Sequence, residues 1–101
     1  MIARIWRGWT NVENADEYEN LLRQNIFPAI EAKQIKGFQK ISLLKLDIGE
    51  EVEFMTIMLF ADIEAVKAFA GEDYKRAYVP DDARKILSRY EEFSKHFEVL
   101  E

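Results

Sequence analysis

The sequence predicts an α+β domain in which a four-stranded antiparallel sheet carries helices on one face. Four stretches are rich in apolar residues at strand spacing, and the segments between them carry apolar residues at helical spacing. A turn containing Gly49 joins two of the strands directly, as in a hairpin. These observations predict the order strand, helix, strand, strand, helix, strand, with an extra helix before the last strand.

The first half of the chain contributes a strand at residues 2–10 and the first helix. Asn14 is the predicted N-cap of this helix, because its side chain can accept from free N–H groups of the first turn. Glu17 stands three positions later and completes a variant of the capping box. Pro28 lacks a backbone N–H, so we expect it to kink or end the helix, with a further turn at residues 29–33.

The second and third strands are predicted at residues 38–46 and 52–61, with residues 47–51 as the turn between them. The third strand is apolar on both faces, and the first strand shares this property. An antiparallel strand with one face in water alternates apolar and polar residues instead. Both faces of the sheet are therefore expected to be covered.

The second helix is predicted to follow the N-cap Asp62 and to end at Gly71, which can take the left-handed conformation of a C′ residue. Residues 72–79 carry Tyr74 and Tyr78 at helical spacing, which predicts one or two irregular helical turns.

A third helix and the final strand complete the chain. Either Asp81 or Asp82 is the predicted N-cap of this helix. The final strand is predicted at residues 93–100. The apolar face of the helix is expected to include Ala83, Ile86, Leu87 and Tyr90.

This order of elements is the split βαβ, ferredoxin-like plan, which residues 1–101 are expected to form as a single domain. The helices can cover one face of the sheet, so the opposite apolar face would form a large exposed patch. Face-to-face packing of two subunits about a two-fold axis would bury that patch. The sequence therefore predicts a homodimer through the open sheet face.

Composition argues against several classes of function. The formal net charge of −5 disfavours partners such as nucleic acid or an anionic membrane surface. The chain has no cysteine and one histidine, so it offers no disulfide, thiol nucleophile or multi-histidine metal centre. No apolar run approaches the ~20 residues of a membrane span, and Arg4 and Arg7 interrupt the apolar N-terminal stretch. We therefore expect a cytoplasmic protein without a signal peptide.

A family resemblance rests on five segments that extend over nearly the whole chain: IARIWRGWT, ADEYENLL, PAI…KGFQ, EFMTIMLFADIEAVKAFAGED and HFEV. With these segments the chain resembles the dimeric α/β-barrel proteins of the antibiotic biosynthesis monooxygenase type. The resemblance implies a homodimer whose sheets form a barrel, with a pocket between helices and sheet in each subunit. It also implies oxidation of phenols or quinols with O₂ and without a metal, flavin or other cofactor, because the deprotonated substrate itself gives an electron to O₂.

Two positions depart from the active members of that family. Some relatives carry an Asn along the third strand and a Trp at its end, where this chain has Thr56 and Phe60. Thr56 can donate one hydrogen bond, whereas Phe60 can donate none. Haem-degrading relatives use an axial His, which is missing from the matching stretch that contains Phe69 and Tyr78. Haem degradation by their route is therefore not expected.

Three residues are the candidate catalytic groups. His96 is a possible general base because the ordinary pKa of histidine lies near neutrality, although a structural or exposed histidine is the alternative. Tyr78 is expected to hydrogen-bond an oxyanion, with assistance from Thr56. The sequence leaves open whether His96 faces the helices or the interior of the barrel.

Five further residues are candidates for binding a small aromatic or apolar ligand. Trp6 and Phe60 would shape an aromatic pocket, together with Phe69. Arg4 would attract an anionic substrate, and Tyr74 would hydrogen-bond a phenolate or carbonyl oxygen. Each of them also has an ordinary structural interpretation in the core, at an edge or at a dimer interface.

Two hypotheses of different classes follow. The first is a cofactor-independent monooxygenase that oxidises a small aromatic or quinol-like compound with O₂. The second is a non-catalytic dimeric domain that binds a small apolar ligand or serves assembly only. The family resemblance favours the first, and the residues at Thr56 and Phe60 favour the second.

Overall fold

Strand β1 (Ile2–Asn11) lies in the middle of an antiparallel sheet in this computed structural model, which describes residues 1–101. One edge of β1 pairs along its whole length with β3 (Glu51–Phe60), which in turn pairs with β2 (Phe38–Asp47). The other edge pairs with two short strands, β4 (Arg89–Tyr90) and β5 (Lys95–Glu98). The predicted α+β, ferredoxin-like sheet of four strand positions is therefore confirmed.

The last strand position differs from its prediction because it is split. Residues 91–94 separate β4 from β5, whereas one strand was expected at residues 93–100. Tyr90 pairs with Gly8 of β1, so its predicted place on a helix is wrong. The helix before Tyr90 ends at Ile86, because the backbone of Leu87 is extended. The chain can therefore reach the sheet by residue 89.

The first helical region begins earlier than expected. Asn11 Oδ1 accepts from the Asn14 N–H at 2.9 Å and caps a 3₁₀ turn. Asn14 occupies the N-cap position of helix α1 (Ala15–Leu21), as predicted, but its side chain makes no capping hydrogen bond. The predicted capping box between Asn14 and Glu17 is wrong, because Asn11 already takes the N–H that Glu17 would have accepted.

Pro28 does not end the helical region. The five residues of a π turn (Leu22–Ile26) lead directly into α2 (Phe27–Ala32), where Pro28 lies in the first turn. The wider turn accommodates a proline that cannot donate to the preceding turn, and such π turns are a known cause of helix bending. Helical structure therefore continues to Ala32.

Helix α3 (Ile63–Ala70) has the ends that the sequence predicts. The Asp62 carboxylate accepts from the Ala65 N–H at 2.9 Å, and Gly71 follows the helix with a φ of +87°. The ψ of Gly71, −174°, is extended rather than left-handed. Glycine is favoured at position 71 because it adopts a positive φ without the steric cost that a side chain would bring.

The segment between α3 and the last helix is largely irregular, and of the one or two irregular turns predicted at residues 72–79 it contains one. This turn closes through the Arg76 N–H and the Asp73 carbonyl at 3.1 Å, and Arg76 forms an isolated bridge with Phe93. The Ala77 N–H donates to the Glu92 carbonyl at 2.9 Å, and the Lys75 carbonyl accepts from the Ser94 N–H at 2.7 Å, so these backbone groups are not available for hydrogen bonds within a helix.

Helix α4 (Asp81–Ile86) starts after Pro80, which occupies the N-cap position. Neither Asp81 nor Asp82 is the cap, contrary to the prediction. Both lie in the first turn, where their negative charge favours the positive end of the helix dipole.

The helices cover one face of the sheet. Tyr18 of α1 packs on Phe54 of β3 with ring centroids 4.9 Å apart, in an edge-to-face arrangement. A second group of buried side chains lies farther along the sheet, where Ile30 and Val66 meet Phe60. Burial of each of these side chains contributes about 2 kcal/mol, so the two groups hold the helices on the sheet.

The opposite sheet face carries apolar side chains with no helix over them. Leu44, Leu46 and Phe97 are each about half exposed, and Ile5 pairs with Ile57 at the centre of this face. The sheet is thus apolar on both faces, as its strand sequences indicate. The homodimer expected on this face stays a prediction.

The helices of this fold are all too short or too polar to cross a membrane.

We expect Asp62→Ala to lower the free energy of unfolding by about 1 kcal/mol, because α3 loses its only side-chain cap. Urea denaturation would measure this loss. Asp62→Asn is the matched control, since its amide oxygen can still accept from Ala65 N–H. An equal loss in both variants would show that the charge, rather than the hydrogen bond, stabilises the helix end.

Candidate functional site

A cavity of about 60 Å³ lies between the helices and the sheet. Sixteen residues line it, and twelve of these are hydrophobic. The lining contains no Asp, Glu or His side chain. The predicted site residues that line it are Arg4, Trp6, Thr56, Phe69 and Tyr78.

Arg4 is the charged residue of the cavity wall, and only 3% of it is exposed. Its Nη1 donates to the Tyr74 carbonyl, and its Nη2 donates to the Arg76 carbonyl at 3.2 Å. Burial lowers the pKa of Arg4 to about 10, so the side chain is still a cation at neutral pH. The two carbonyls belong to the irregular segment after α3, which Arg4 thereby attaches to β1.

His96 lies beside Arg4 on the helix side of the sheet, which answers the question of its orientation. Its Nε2 is 2.9 Å from Arg4 Nη1, and because guanidinium only donates, Nε2 must accept. Burial, Arg4 and Lys75 lower the pKa of His96 to about 4, so the ring is neutral at pH 7. His96 is absent from the cavity lining, where a general base would have to lie.

Trp6 and Thr56 are register partners on β1 and β3, and both side chains belong to the cavity wall. The indole of Trp6 is held in place because its Nε1 donates to the Glu91 carbonyl at 2.7 Å. Thr56 supplies a hydroxyl in a wall that is otherwise mainly apolar. These two residues thus offer a flat aromatic surface next to one hydrogen-bonding group.

Tyr78 stands at the mouth of the cavity, since it contributes to the lining while 62% of the residue is exposed. The Nζ of Lys33 lies 5.5 Å from the centroid of its ring, within the range of a cation–π contact. Tyr78 can therefore reach a ligand that enters from solvent, and its catalytic role stays a prediction.

Of three further predicted binding residues, one lines the cavity and two do not. Phe69 lines the cavity, and its ring centroid is 5.6 Å from Arg4 Cζ. Phe60 is fully buried behind Phe69, with their rings 5.8 Å apart, and does not line the cavity. Tyr74 is also outside the lining and packs edge-on against His96 at 5.1 Å. Phe60 and Tyr74 therefore support the wall from behind.

Two polar residues of the wall were not among the predicted site residues. Tyr18 of α1 is buried and lines the cavity, and burial raises the pKa of its phenol. Ser94 lies in the gap between β4 and β5 and is also buried in the lining. In the sequence, Tyr18 is the residue with a hydroxyl group in the apolar stripe of the first helix. Helical periodicity alone predicts that such a residue is buried in the core and does not predict that it lines a cavity.

The site is thus a small apolar chamber with one buried cation and the hydroxyl groups of Tyr18, Thr56, Tyr78 and Ser94 in its wall. Such a chamber can exclude water, orient an aromatic ring and stabilise negative charge on a bound molecule. Because the wall contains no carboxylate or imidazole, it has no side chain of the types that usually act as a general base near neutral pH.

The fold of the chain is similar to that of a protein of known structure. The structure is similar to that of a putative antibiotic biosynthesis monooxygenase from Bacillus cereus, with a TM-score of 0.66 and 11% sequence identity. The match covers 100% of this chain and 93% of the Bacillus cereus chain. No family model and no curated protein matches the sequence. The chain therefore has the α+β, ferredoxin-like fold of the subunit that its resemblance to antibiotic biosynthesis monooxygenases implies.

We expect His96→Gln to reduce the pH dependence of unfolding between about pH 4 and 6.5. The pKa of His96 is lower in the folded chain than its ordinary value of 6.5, so the unfolded chain binds the proton more tightly. The corresponding stability is complete above about pH 6.5 and decreases as the pH falls through about 4. Glutamine can accept from Arg4 but does not titrate.

Urea denaturation of both proteins at several pH values tests this expectation. The carboxylates titrate in both proteins, so the difference between the two curves isolates His96. Parallel curves over the whole range would contradict the lowered pKa.

Proposed function

We propose that this protein is a cofactor-independent monooxygenase that oxidises a small aromatic or quinol-like compound with O₂. The observation that carries the proposal is the mainly apolar cavity, whose wall contains the rings of Trp6 and Phe69 together with the hydroxyl groups of Thr56 and Tyr78. The fold shared with the Bacillus cereus protein supports the same assignment.

The chemistry requires a substrate that can become electron-rich. Loss of a proton to water gives a substrate anion, which transfers one electron to O₂ and leaves a substrate radical beside superoxide. The two radicals combine into a peroxide anion at carbon, which takes up a proton from water. Loss of water from the peroxide leaves a carbonyl, so that a CH₂ group and O₂ become a C=O group and H₂O. The substrate supplies all the electrons in this sequence.

The residues of the wall would act by positioning and by electrostatics. Thr56 and Tyr78 would donate hydrogen bonds to the oxyanion. The Thr56 donor lies in the mainly apolar wall, where such a hydrogen bond stabilises more than in water, whereas Tyr78 would act from the mouth. Trp6 would hold the aromatic ring, and Phe60 would support Phe69 from behind. His96 would act through Arg4 as a positioning residue, in place of the direct base predicted from the sequence.

A second candidate function is a non-catalytic domain that binds a small apolar ligand or serves assembly only. The composition of the wall favours it, because no Asp, Glu or His lines the cavity and an enzyme would need a substrate that loses its proton readily. Ligand binding without O₂ consumption would distinguish this function from the monooxygenase.

We expect the purified, metal-free protein to consume O₂ with members of a panel of hydroquinones and polycyclic phenols. Thr56→Val and Tyr78→Phe should each lower the rate by about tenfold or more, since each removes one donor to the oxyanion. An oxygen electrode measures the uptake, and absorbance spectra identify the carbonyl product.

Tyr90→Phe is the control, because this substitution removes the same hydroxyl group as Tyr78→Phe from a residue of β4 that does not line the cavity. If ligands of the panel bind but none is oxidised, the monooxygenase is excluded for these compounds and the binding function replaces it. Unchanged rates in both wall variants would remove the roles of Thr56 and Tyr78.

A further inference from the structure

Arg4 differs from the other arginines of the chain in lacking a carboxylate partner. Each of the other five forms an ion pair with Asp or Glu: Arg7, Arg23, Arg76, Arg84 and Arg89. Those five lie at the surface, where an ion pair contributes little. The buried arginine, for which an anion would matter most, has none.

An unpaired buried cation is unfavourable, because the low dielectric of the interior no longer stabilises the charge as water does. The chain compensates Arg4 with neutral acceptors only, namely the Tyr74 and Arg76 carbonyls and His96 Nε2. Lys75 adds a further positive charge close enough to lower the pKa of His96. The surroundings of Arg4 therefore favour an anion that the chain itself does not provide.

The hydrogen-bonding capacity of Arg4 is also incomplete. The guanidinium has five N–H donors, and three acceptors are bound to Nη1 and Nη2. One hydrogen on Nη2 and the hydrogen on Nε are left. These two nitrogens form one edge of the guanidinium, and a carboxylate can bind such an edge with both of its oxygens.

We infer that the cavity binds an aromatic carboxylate, with its anionic group on Arg4 and its ring against Trp6 and Phe69. This inference rests on the proposed function, in which the cavity is the ligand site, and it names the class of the ligand. The remaining wall is mainly hydrophobic and suits the ring. The cavity volume of about 60 Å³ is smaller than the ~150 Å³ of an apolar cavity that holds benzene, so even a single-ring ligand extends into the open mouth beside Tyr78.

The role of His96 follows from the same geometry. Its neutral Nε2 holds Nη1 of Arg4, while the carbonyls of Tyr74 and Arg76 hold the guanidinium from the irregular segment. Three fixed acceptors leave the free edge in one orientation. A preorganised cation of this kind needs little rearrangement when the carboxylate arrives.

Titration calorimetry with benzoate and benzamide at pH 7.5 tests the inference on the unmodified protein. The two probes have nearly the same shape and differ in charge. We expect benzoate to bind about 10- to 100-fold more tightly, as a charge-assisted contact to a buried guanidinium implies. Equal affinities, or no binding of benzoate up to about 10 mM, would overturn the inference.

Variants locate the contact. Arg4→Met should abolish the preference for benzoate, and Arg4→Lys should keep part of it because the charge is retained. Arg7→Met is the matched control, since Arg7 lies on the same strand with its side chain paired to Glu91 on the surface. An unaltered preference in Arg4→Met would overturn the assignment of the anion to Arg4.

The outcomes separate this inference from the proposed function. Preference for benzoate without O₂ uptake on the phenol panel would retain the anion site and exclude the monooxygenase for these compounds. O₂ uptake on the panel together with equal affinities for benzoate and benzamide would retain the monooxygenase and overturn the carboxylate site.

Discussion

The antiparallel pairing of β1 with β3 is the interaction on which the rest of the structure depends. Ten successive residue pairs, from Ile2–Phe60 to Asn11–Glu51, place two strands that are apolar on both faces at the centre of the sheet. One face then receives the helices, and Tyr18 on Phe54 is the central contact. A one-residue slip in this register would exchange the two faces and move Arg4 out of the cavity.

The cavity is a consequence of how the last third of the chain is attached to β1. Arg4 holds the carbonyls of Tyr74 and Arg76, and Trp6 holds the carbonyl of Glu91. These contacts place an irregular segment, rather than a helix, over one end of the sheet. An irregular backbone leaves space that a packed helix would fill, and its carbonyls keep a buried cation in position.

The arrangement at Arg4 also changes what a single histidine can do. In the sequence, His96 is the only residue whose ordinary pKa lies near neutrality, which makes it the natural general base. In the fold, its accepting nitrogen is occupied by Arg4 and its charged form is disfavoured by burial and by two nearby cations. In the proposed function, the histidine therefore orients the guanidinium, and the chemistry is assigned to Arg4 and the hydroxyl groups.

The sequence by itself determined the sheet, the hairpin, the Asp62 cap of α3 and the two apolar faces, because alternation, helical spacing and capping are local properties. Of the site residues predicted from the sequence, Trp6, Thr56, Phe69, Tyr78 and Arg4 line the cavity, whereas His96, Phe60 and Tyr74 do not, and the roles of all of them stay predictions. Only the tertiary structure decided that Asn11 caps the first helical region, that residues 72–79 are irregular, and that Arg4 lacks an anion while His96 accepts from it. These features depend on contacts between residues as far as 92 positions apart, such as Arg4 and His96, and no local pattern encodes such contacts.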